Sequence, residues 1–185
     1  GTMNNKVIFS LYKEFVKRNF STLRFNFRGV GKSQGSYDDG EGELADAATA
    51  MDWIQTQNPN ATHCWVAGFS FGSWIGMQLM MRRPEIKGFV SLSAPALIRD
   101  FAFLAPCPSS GLFLHGSEDE IVPAFALSRV LEKISIQKGA VIKDIFIQGA
   151  NHYFSDHNDE MVKAINDYLD ERLDKDGSFI INDEK

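Results

Sequence analysis

The chain has 185 residues, of which 44% are hydrophobic, and it carries a formal net charge of -5. That length fits one domain with a full hydrophobic core, and the negative charge disfavours nucleic acid and anionic membranes as partners. No apolar run approaches the roughly 20 residues of a membrane span, and the first residues do not form a secretory signal. We therefore expect a cytoplasmic protein that acts on a small molecule.

Short apolar runs alternate with amphipathic stretches along the chain. Their periodicity predicts, in chain order, a helix at about 5–19, a strand at 22–27, a helix at 43–57, strands at 64–69, 88–93 and 111–115, a helix at 124–133, a strand at 141–148 and a helix at 159–173. This alternation predicts an α/β fold, with a mainly parallel sheet and helices on both faces. We expect a single domain over residues 1–174, followed by a polar tail over 175–185 that frays.

The pentapeptide Gly68-Phe69-Ser70-Phe71-Gly72 joins an apolar run to a second apolar stretch. A Gly-x-Ser-x-Gly sequence between a strand and a helix is typical of a nucleophile elbow, because small neighbours let the two elements pass closely and present the serine hydroxyl outward. A glycine-rich turn that only reverses the chain is the competing interpretation. The strand before the motif and the helix after it favour Ser70 as a nucleophile.

A serine hydroxyl needs a base to remove its proton, and a carboxylate usually orients that base. In a parallel sheet such groups gather where strands end. His152 lies just beyond the strand predicted at 141–148 and is the favoured base. In the loop after the strand predicted at 111–115, Asp119 is favoured over Glu118 and Glu120, since it is short and lies mid-loop.

The other histidines are weaker candidates for the base. His63 precedes its strand, which puts it at the wrong edge of the sheet, and His157 lies near a helix start where solvation explains it. His115 ends a strand. We expect His115 to be a packed turn residue, because the order serine, acid, histidine puts the base last.

Further candidates surround Ser70. The backbone N–H of Phe71, at the start of the helix, is the predicted oxyanion donor. Phe69 and Tyr153 flank the catalytic candidates and are predicted to bind substrate. The apolar residues of 94–110 fit either one helix packed on the sheet or a pocket wall. Neither the histidines and carboxylates nor the two cysteines have metal-binding spacing, so we expect no metal and no cofactor.

On these residues the sequence resembles the α/β-hydrolase superfamily, and within it the small cap-less bacterial hydrolases akin to dienelactone hydrolase and short-chain esterases. Residues 26–35 look like the family's Arg-Gly-x-Gly-x-Ser loop, and residues 115–123 look like its His-Gly-x-x-Asp-x-x-Val-Pro acid loop. With the elbow and His152, four motifs match in order. The resemblance implies that Ser70 is the nucleophile, His152 the base and Asp119 the orienting acid.

One departure from the family concerns the sheet. In the family another strand lies between those that correspond to 22–27 and 64–69, and the loop after it supplies a second oxyanion donor. The resemblance thus implies that N-terminal strands are missing here, so that the chain is a fragment of a longer hydrolase, or that the two strands pair directly in a smaller sheet.

The sequence therefore predicts a serine hydrolase that cleaves small esters or thioesters through an acyl-enzyme. The alternative is a catalytically impaired binding or interaction protein with the same fold. The oligomeric state is open.

Overall fold

The computed structural model describes residues 1–174 and 177–180. Its helices in this part of the chain are α1 (Lys6–Val16), α2 (Glu41–Gln57), α3 (Phe71–Arg82), α4 (Ala124–Ile134) and α5 (Asn158–Arg172). Its strands are β1 (Cys64–Phe69), β2 (Ile86–Leu92), β3 (Gly111–Gly116) and β4 (Ile142–Ile147). None of these helices is both long enough and apolar enough to span a bilayer.

The four strands form one parallel sheet in the order β1-β2-β3-β4. Side chains alternate across it, as the pleat requires. Phe89 and Phe113 face the core that α2, α3 and α4 cover, whereas Val90 and Leu112 face the core that α1 and α5 cover. The predicted α/β fold, with a parallel sheet and helices on both faces, is confirmed.

The strand predicted at 22–27 is wrong. Its Phe25 and Phe27 pack against the core, but among the residues that the structure describes the segment pairs with no strand. A trough of about 950 Å³, which we call the edge trough, is lined by Phe25 and Phe27 together with Trp65 and Phe69 of β1. A ladder needs strands about 4.8 Å apart. Direct pairing of 22–27 with β1 is therefore also wrong.

The outer edge of β1 faces the edge trough. At the inner edge the N–H of Cys64 donates to Glu85 O at 3.2 Å and that of Ser70 donates to Leu92 O at 2.8 Å. Because successive residues of a strand point their N–H and C=O groups to opposite sides, the main-chain groups of Trp65, Ala67 and Phe69 point outward. Within the described residues, β1 pairs only with β2.

Residues 94–110 form neither of the predicted arrangements as a whole. A short 3-10 turn, Ala102–Leu104, replaces the expected helix, and Phe101 and Leu104 are buried in the core. Leu97 and Ile98, by contrast, are exposed. The apolar run is thus divided between core and surface.

Part of the predicted tail packs back on the domain. Phe179 forms an isolated antiparallel bridge with Leu173, and its ring lies 6.1 Å from that of Trp65 and 4.8 Å from that of His63. Residues 175–176 and 181–185 of the predicted tail lie outside the described residues. The domain limits at 1–174 stay a prediction.

Candidate active site

Ser70 occupies a strained turn between β1 and α3. Its backbone has φ 54° and ψ -121°, a region that residues with a Cβ rarely adopt. Gly68 makes this turn possible, because a Cβ there would lie within 2.6 Å of the backbone nitrogen of Ser73. At Gly72 the nearest atom to an added Cβ would be in the ring of Phe27, 4.0 Å away. The close passage of strand and helix therefore requires glycine at 68 but not at 72.

The three predicted catalytic side chains form one hydrogen-bonded series. Ser70 Oγ lies 2.9 Å from His152 Nε2, and His152 Nδ1 lies 2.7 Å from Asp119 Oδ2. An ionised carboxylate only accepts, so His152 Nδ1–H donates to Asp119. Nε2 then carries the lone pair that accepts the hydroxyl proton of Ser70. Asp119 and His152 are buried, and Ser70 is half-buried.

The acid loop explains why Asp119 occupies this position. Its Oδ1 accepts from the backbone N–H groups of Ile121 at 2.9 Å and Val122 at 2.7 Å, as its short side chain allows. Burial opposes ionisation, but the hydrogen bonds from His152 and these two N–H groups outweigh it and hold the pKa of Asp119 below its ordinary value. Glu118 and Glu120 are exposed. The carboxylate is therefore ionised and fixed in orientation.

Backbone contacts hold the acid and base loops together at the carboxyl ends of β3 and β4. A Cβ on Gly116 would lie 2.7 Å from Asn151 O, so only glycine permits this approach. Glu118 N–H donates to Ala150 O at 2.9 Å. Ser93, which follows β2 with a φ of 49°, donates its hydroxyl to His152 O at 2.8 Å. No role for Ser93 was predicted from the sequence, although it follows a strand directly, and His152 was chosen because it follows a strand.

The remaining histidines are spread over the domain. His63 Nε2 lies 3.0 Å from Gly177 O, before the first residue of β1, and His157 caps α5. His115 is fully buried at the end of β3, and its Nε2 lies 2.9 Å from Val122 O. These placements agree with the expectations for all three, but the contact of His115 with the acid loop was not anticipated.

The N-terminus of α3 adjoins Ser70. Within the described residues, the N–H groups of Phe71 and Gly72 donate to no acceptor, which leaves that of Phe71 available as the predicted oxyanion donor. The Phe71 ring packs 5.9 Å from the Tyr37 ring, and the Arg99 guanidinium lies 5.5 Å above it. Arg99 also pairs with Asp39 at 2.7 Å. This cluster was not predicted from the sequence.

Two predicted substrate-binding aromatics flank the base. The Phe69 ring lies 5.4 Å from the imidazole of His152 and 5.7 Å from the ring of Tyr153. Tyr153 is 48% exposed, so this aromatic wall is open to solvent. Their role in substrate binding stays a prediction.

The charged groups near the site do not form a metal centre. Among residues 1–174 and 177–180, no group of three or more histidine, cysteine or carboxylate side chains is arranged to hold a metal ion.

Arg28 forms a two-pronged ion pair with Asp46 of α2, with Nη2 2.8 Å from Oδ1. This ion pair anchors the 28–35 loop to α2.

Comparison with known proteins agrees with this fold. The family model Hydrolase_4, described as serine aminopeptidase, S33, matches residues 5–107. The chain belongs to this family of α/β hydrolases. The uncharacterized protein RP471 of Rickettsia prowazekii (strain Madrid E) is 49% identical over 173 residues, which cover 91% of this chain and 73% of that protein.

Two solved structures extend the likeness. The first is ATU1826 of Agrobacterium tumefaciens, a protein of unknown function assigned to the α/β hydrolases. It is 52% identical, with a TM-score of 0.90 over 92% of this chain and 78% of that one. The second is XC6422 of Xanthomonas campestris, an α/β serine hydrolase without a lid. It is 30% identical, with a TM-score of 0.83 over 92% of this chain and 75% of that one.

Proposed function

We propose that this chain is a serine hydrolase that cleaves small ester or thioester substrates through an acyl-enzyme intermediate. The observation that carries the proposal is the hydrogen-bonded series Ser70, His152 and Asp119 at the carboxyl edge of the sheet. A base within 2.9 Å of a serine hydroxyl, itself oriented by a buried carboxylate, is the arrangement that activates a serine nucleophile.

The proposed reaction has two halves. Ser70 Oγ attacks the carbonyl carbon while His152 Nε2 takes the hydroxyl proton, and the Phe71 N–H donates to the oxyanion of the tetrahedral intermediate. Collapse breaks the bond to the alcohol or thiol, which leaves with the proton from His152, and Ser70 becomes acylated. Water then attacks the acyl carbon while His152 takes one of its protons. The bond to Ser70 Oγ breaks, Oγ regains that proton from His152, and the acid is released. Asp119 stays ionised throughout.

The surroundings of Ser70 support a small, neutral and apolar-leaning substrate. Phe69 and Tyr153 provide an aromatic surface beside the base, and the charge of Arg99 is neutralised by Asp39. We place esterase activity ahead of thioester and peptide hydrolysis. The exclusion of nucleic acid and anionic membrane partners rests on net charge, and the cytoplasmic location rests on the sequence patterns discussed above; both stay predictions.

The second candidate is a catalytically impaired protein of the same fold that binds a small ester or a partner. The observation that favours it is the edge trough, which reaches Phe69 and Gly72 beside Ser70. An oxyanion usually needs more than one donor, and losing one costs about 3 kcal/mol of transition-state stabilisation. The local backbone of the elbow provides the Phe71 N–H, whereas a second donor would have to come from another segment.

Hydrolysis of p-nitrophenyl esters of two to eight carbons separates the two candidates. The hydrolase predicts a burst of p-nitrophenol of about one equivalent per chain, followed by steady turnover that is fastest with short acyl groups. Ser70→Ala should abolish the burst and lower kcat by roughly 10⁴-fold or more. A Ser70→Ala protein that keeps the burst, or a folded parent chain without turnover, would reject the hydrolase in favour of the second candidate.

A further inference from the structure

His115 is a buried imidazole that contacts the acid loop but has no part in the mechanism above. It ends β3 with no exposed surface. Its Nε2 lies 2.9 Å from Val122 O and 3.3 Å from Asp119 Oδ2. It therefore reaches the same carboxylate oxygen that accepts from His152.

The surroundings of His115 fix its protonation state and tautomer. A carbonyl oxygen only accepts, so Nε2 must carry the hydrogen that Val122 O receives. Nδ1 is buried and has no hydrogen-bond partner within the described chain, so a second proton there would be a buried donor without an acceptor. Burial lowers the pKa of His115. His115 is thus a neutral imidazole whose donor is Nε2–H.

This donor holds the backbone next to the Asp119 carboxylate. Oδ1 accepts from two backbone N–H groups, one of them that of Val122, and Oδ2 accepts from His152 Nδ1–H at 2.7 Å. The Nε2–H of His115 donates to Val122 O, and the same nitrogen lies 3.3 Å from Oδ2. His115 therefore fixes the residue whose N–H holds Oδ1, and its ring packs against the oxygen that accepts from His152, so it opposes rotation of the carboxylate away from His152.

We propose that His115 is a positioning residue, whose neutral Nε2–H binds Val122 O and thereby keeps the Asp119 carboxylate with Oδ2 directed at His152. It touches no reacting atom and acts through Asp119 alone. Its effect on turnover rests on the proposed function, but its effect on the hydrogen bond between His152 and Asp119 does not.

Two amide substitutions at this residue test the proposal. A glutamine side chain can bring its amide nitrogen to the position of the imidazole Nε2, whereas an asparagine places its amide nitrogen near Nδ1, where no acceptor lies. His115→Gln should therefore keep the donor, and His115→Asn should lose it. His63→Asn, at the opposite end of the sheet, is the matched control for loss of an imidazole.

The direct readout is the low-field proton resonance of the His152 Nδ1–H bonded to Asp119, identified by its loss in Asp119→Asn. We expect it in the parent chain, in His63→Asn and in His115→Gln, and we expect it to move upfield or broaden away in His115→Asn. Thermal unfolding must show that His115→Asn is folded at the temperature of measurement. An unchanged resonance in folded His115→Asn, or its absence from the parent chain, would overturn the proposal.

Kinetics supply a second readout. With p-nitrophenyl acetate, His115→Asn should lower kcat by about tenfold, because a displaced Asp119 orients His152 less well, and leave KM within about twofold. In an Asp119→Asn background the same substitution should have no further effect. Equal losses in the two backgrounds would reject an action through Asp119. A parent chain that lacks turnover but shows the resonance, and loses it in His115→Asn, would reject the hydrolase and retain this role of His115.

Discussion

The carboxyl edge of the sheet and the outer edge of β1 differ in how completely their polar groups are bonded. At the carboxyl edge, both oxygens of Asp119 accept hydrogen bonds, and Ser93 and Glu118 tie the base loop to its neighbours. Along the outer edge of β1, the main-chain groups face the edge trough. Asp119 and His152, the proposed acid and base, thus lie where the fold is most constrained.

Ser70 lies between these two regions. Among the residues that the structure describes, its strand pairs with β2 on one side only, and the elbow is held by its own steric limits and by the bond from Ser70 N–H to Leu92 O. The comparison teaches that Asp119 and His152 are positioned by long-range contacts, whereas Ser70 depends on one turn. A substitution can therefore disturb the position of Ser70 without disturbing those of Asp119 and His152, or the reverse.

The largest expected effect comes from the acid. Asp119→Asn should reduce kcat with p-nitrophenyl acetate by about 10⁴-fold, because the amide favours the wrong tautomer of His152. Glu118→Gln removes an exposed carboxylate from the adjacent position and should stay within twofold of the parent rate. An Asp119→Asn protein that retains a tenth of the activity would contradict the role of the acid.

Alanine substitutions at the two glycines of the elbow should lower the free energy of unfolding by different amounts. Gly68→Ala forces a Cβ against the backbone of α3 and should lower the free energy of unfolding by about 3 kcal/mol or more, as strongly strained sites do. Gly72→Ala meets no close atom and improves helix propensity, so its unfolding free energy should change by less than about 1 kcal/mol. Urea denaturation measures both. Equal destabilisation would mean that the close passage at Gly68 does not hold.

Burial of His115 at the carboxyl edge of the sheet should also make the free energy of unfolding depend on pH. Its pKa is lowered in the folded state by burial, so as the pH falls below about 6.5 the unfolded chain binds a proton that the folded chain does not. Stability is then lost at up to about 1.4 kcal/mol per pH unit, until the pH passes the lowered folded value.

Urea denaturation between pH 7.5 and 5, compared with His115→Gln, isolates this contribution. The variant should show a flatter pH dependence than the parent chain. Identical slopes in the two proteins would show that His115 is not buried as a neutral imidazole.

The smallest expected effect distinguishes the two sides of β1. The outward N–H groups of Trp65, Ala67 and Phe69 should exchange with deuterium faster than the inward N–H groups of Val66 and Gly68, which face β2. NMR-detected exchange at pH 7 resolves these residues individually. Equal protection on both sides would mean that the outer edge is paired in solution.

The sequence predicted those parts of the site that depend on local pattern. The Gly-x-Ser-x-Gly motif identified Ser70 as a candidate, and the ends of two apolar runs identified Asp119 and His152. The choice of Asp119 over Glu118 followed from side-chain length, which agrees with its two short bonds to backbone N–H groups.

The parts that were missed depend on contacts between segments distant in sequence. The composition of 22–27 is that of a strand, but composition does not say whether another strand lies beside it. Ser93 binds the backbone of a residue 59 positions away. Leu97 and Phe101 have similar hydrophobicity, yet only the second is buried. Such outcomes are set by tertiary packing.

The proposed nucleophile is tested most directly by the intact mass of the protein after reaction with a fluorophosphonate. The account predicts one adduct per chain, located at Ser70 by peptide mapping, which forms readily in the parent chain, is absent from Ser70→Ala and is strongly slowed in Asp119→Asn. Folded parent protein that stays unlabelled, or Ser70→Ala protein that gains the same adduct, would contradict it.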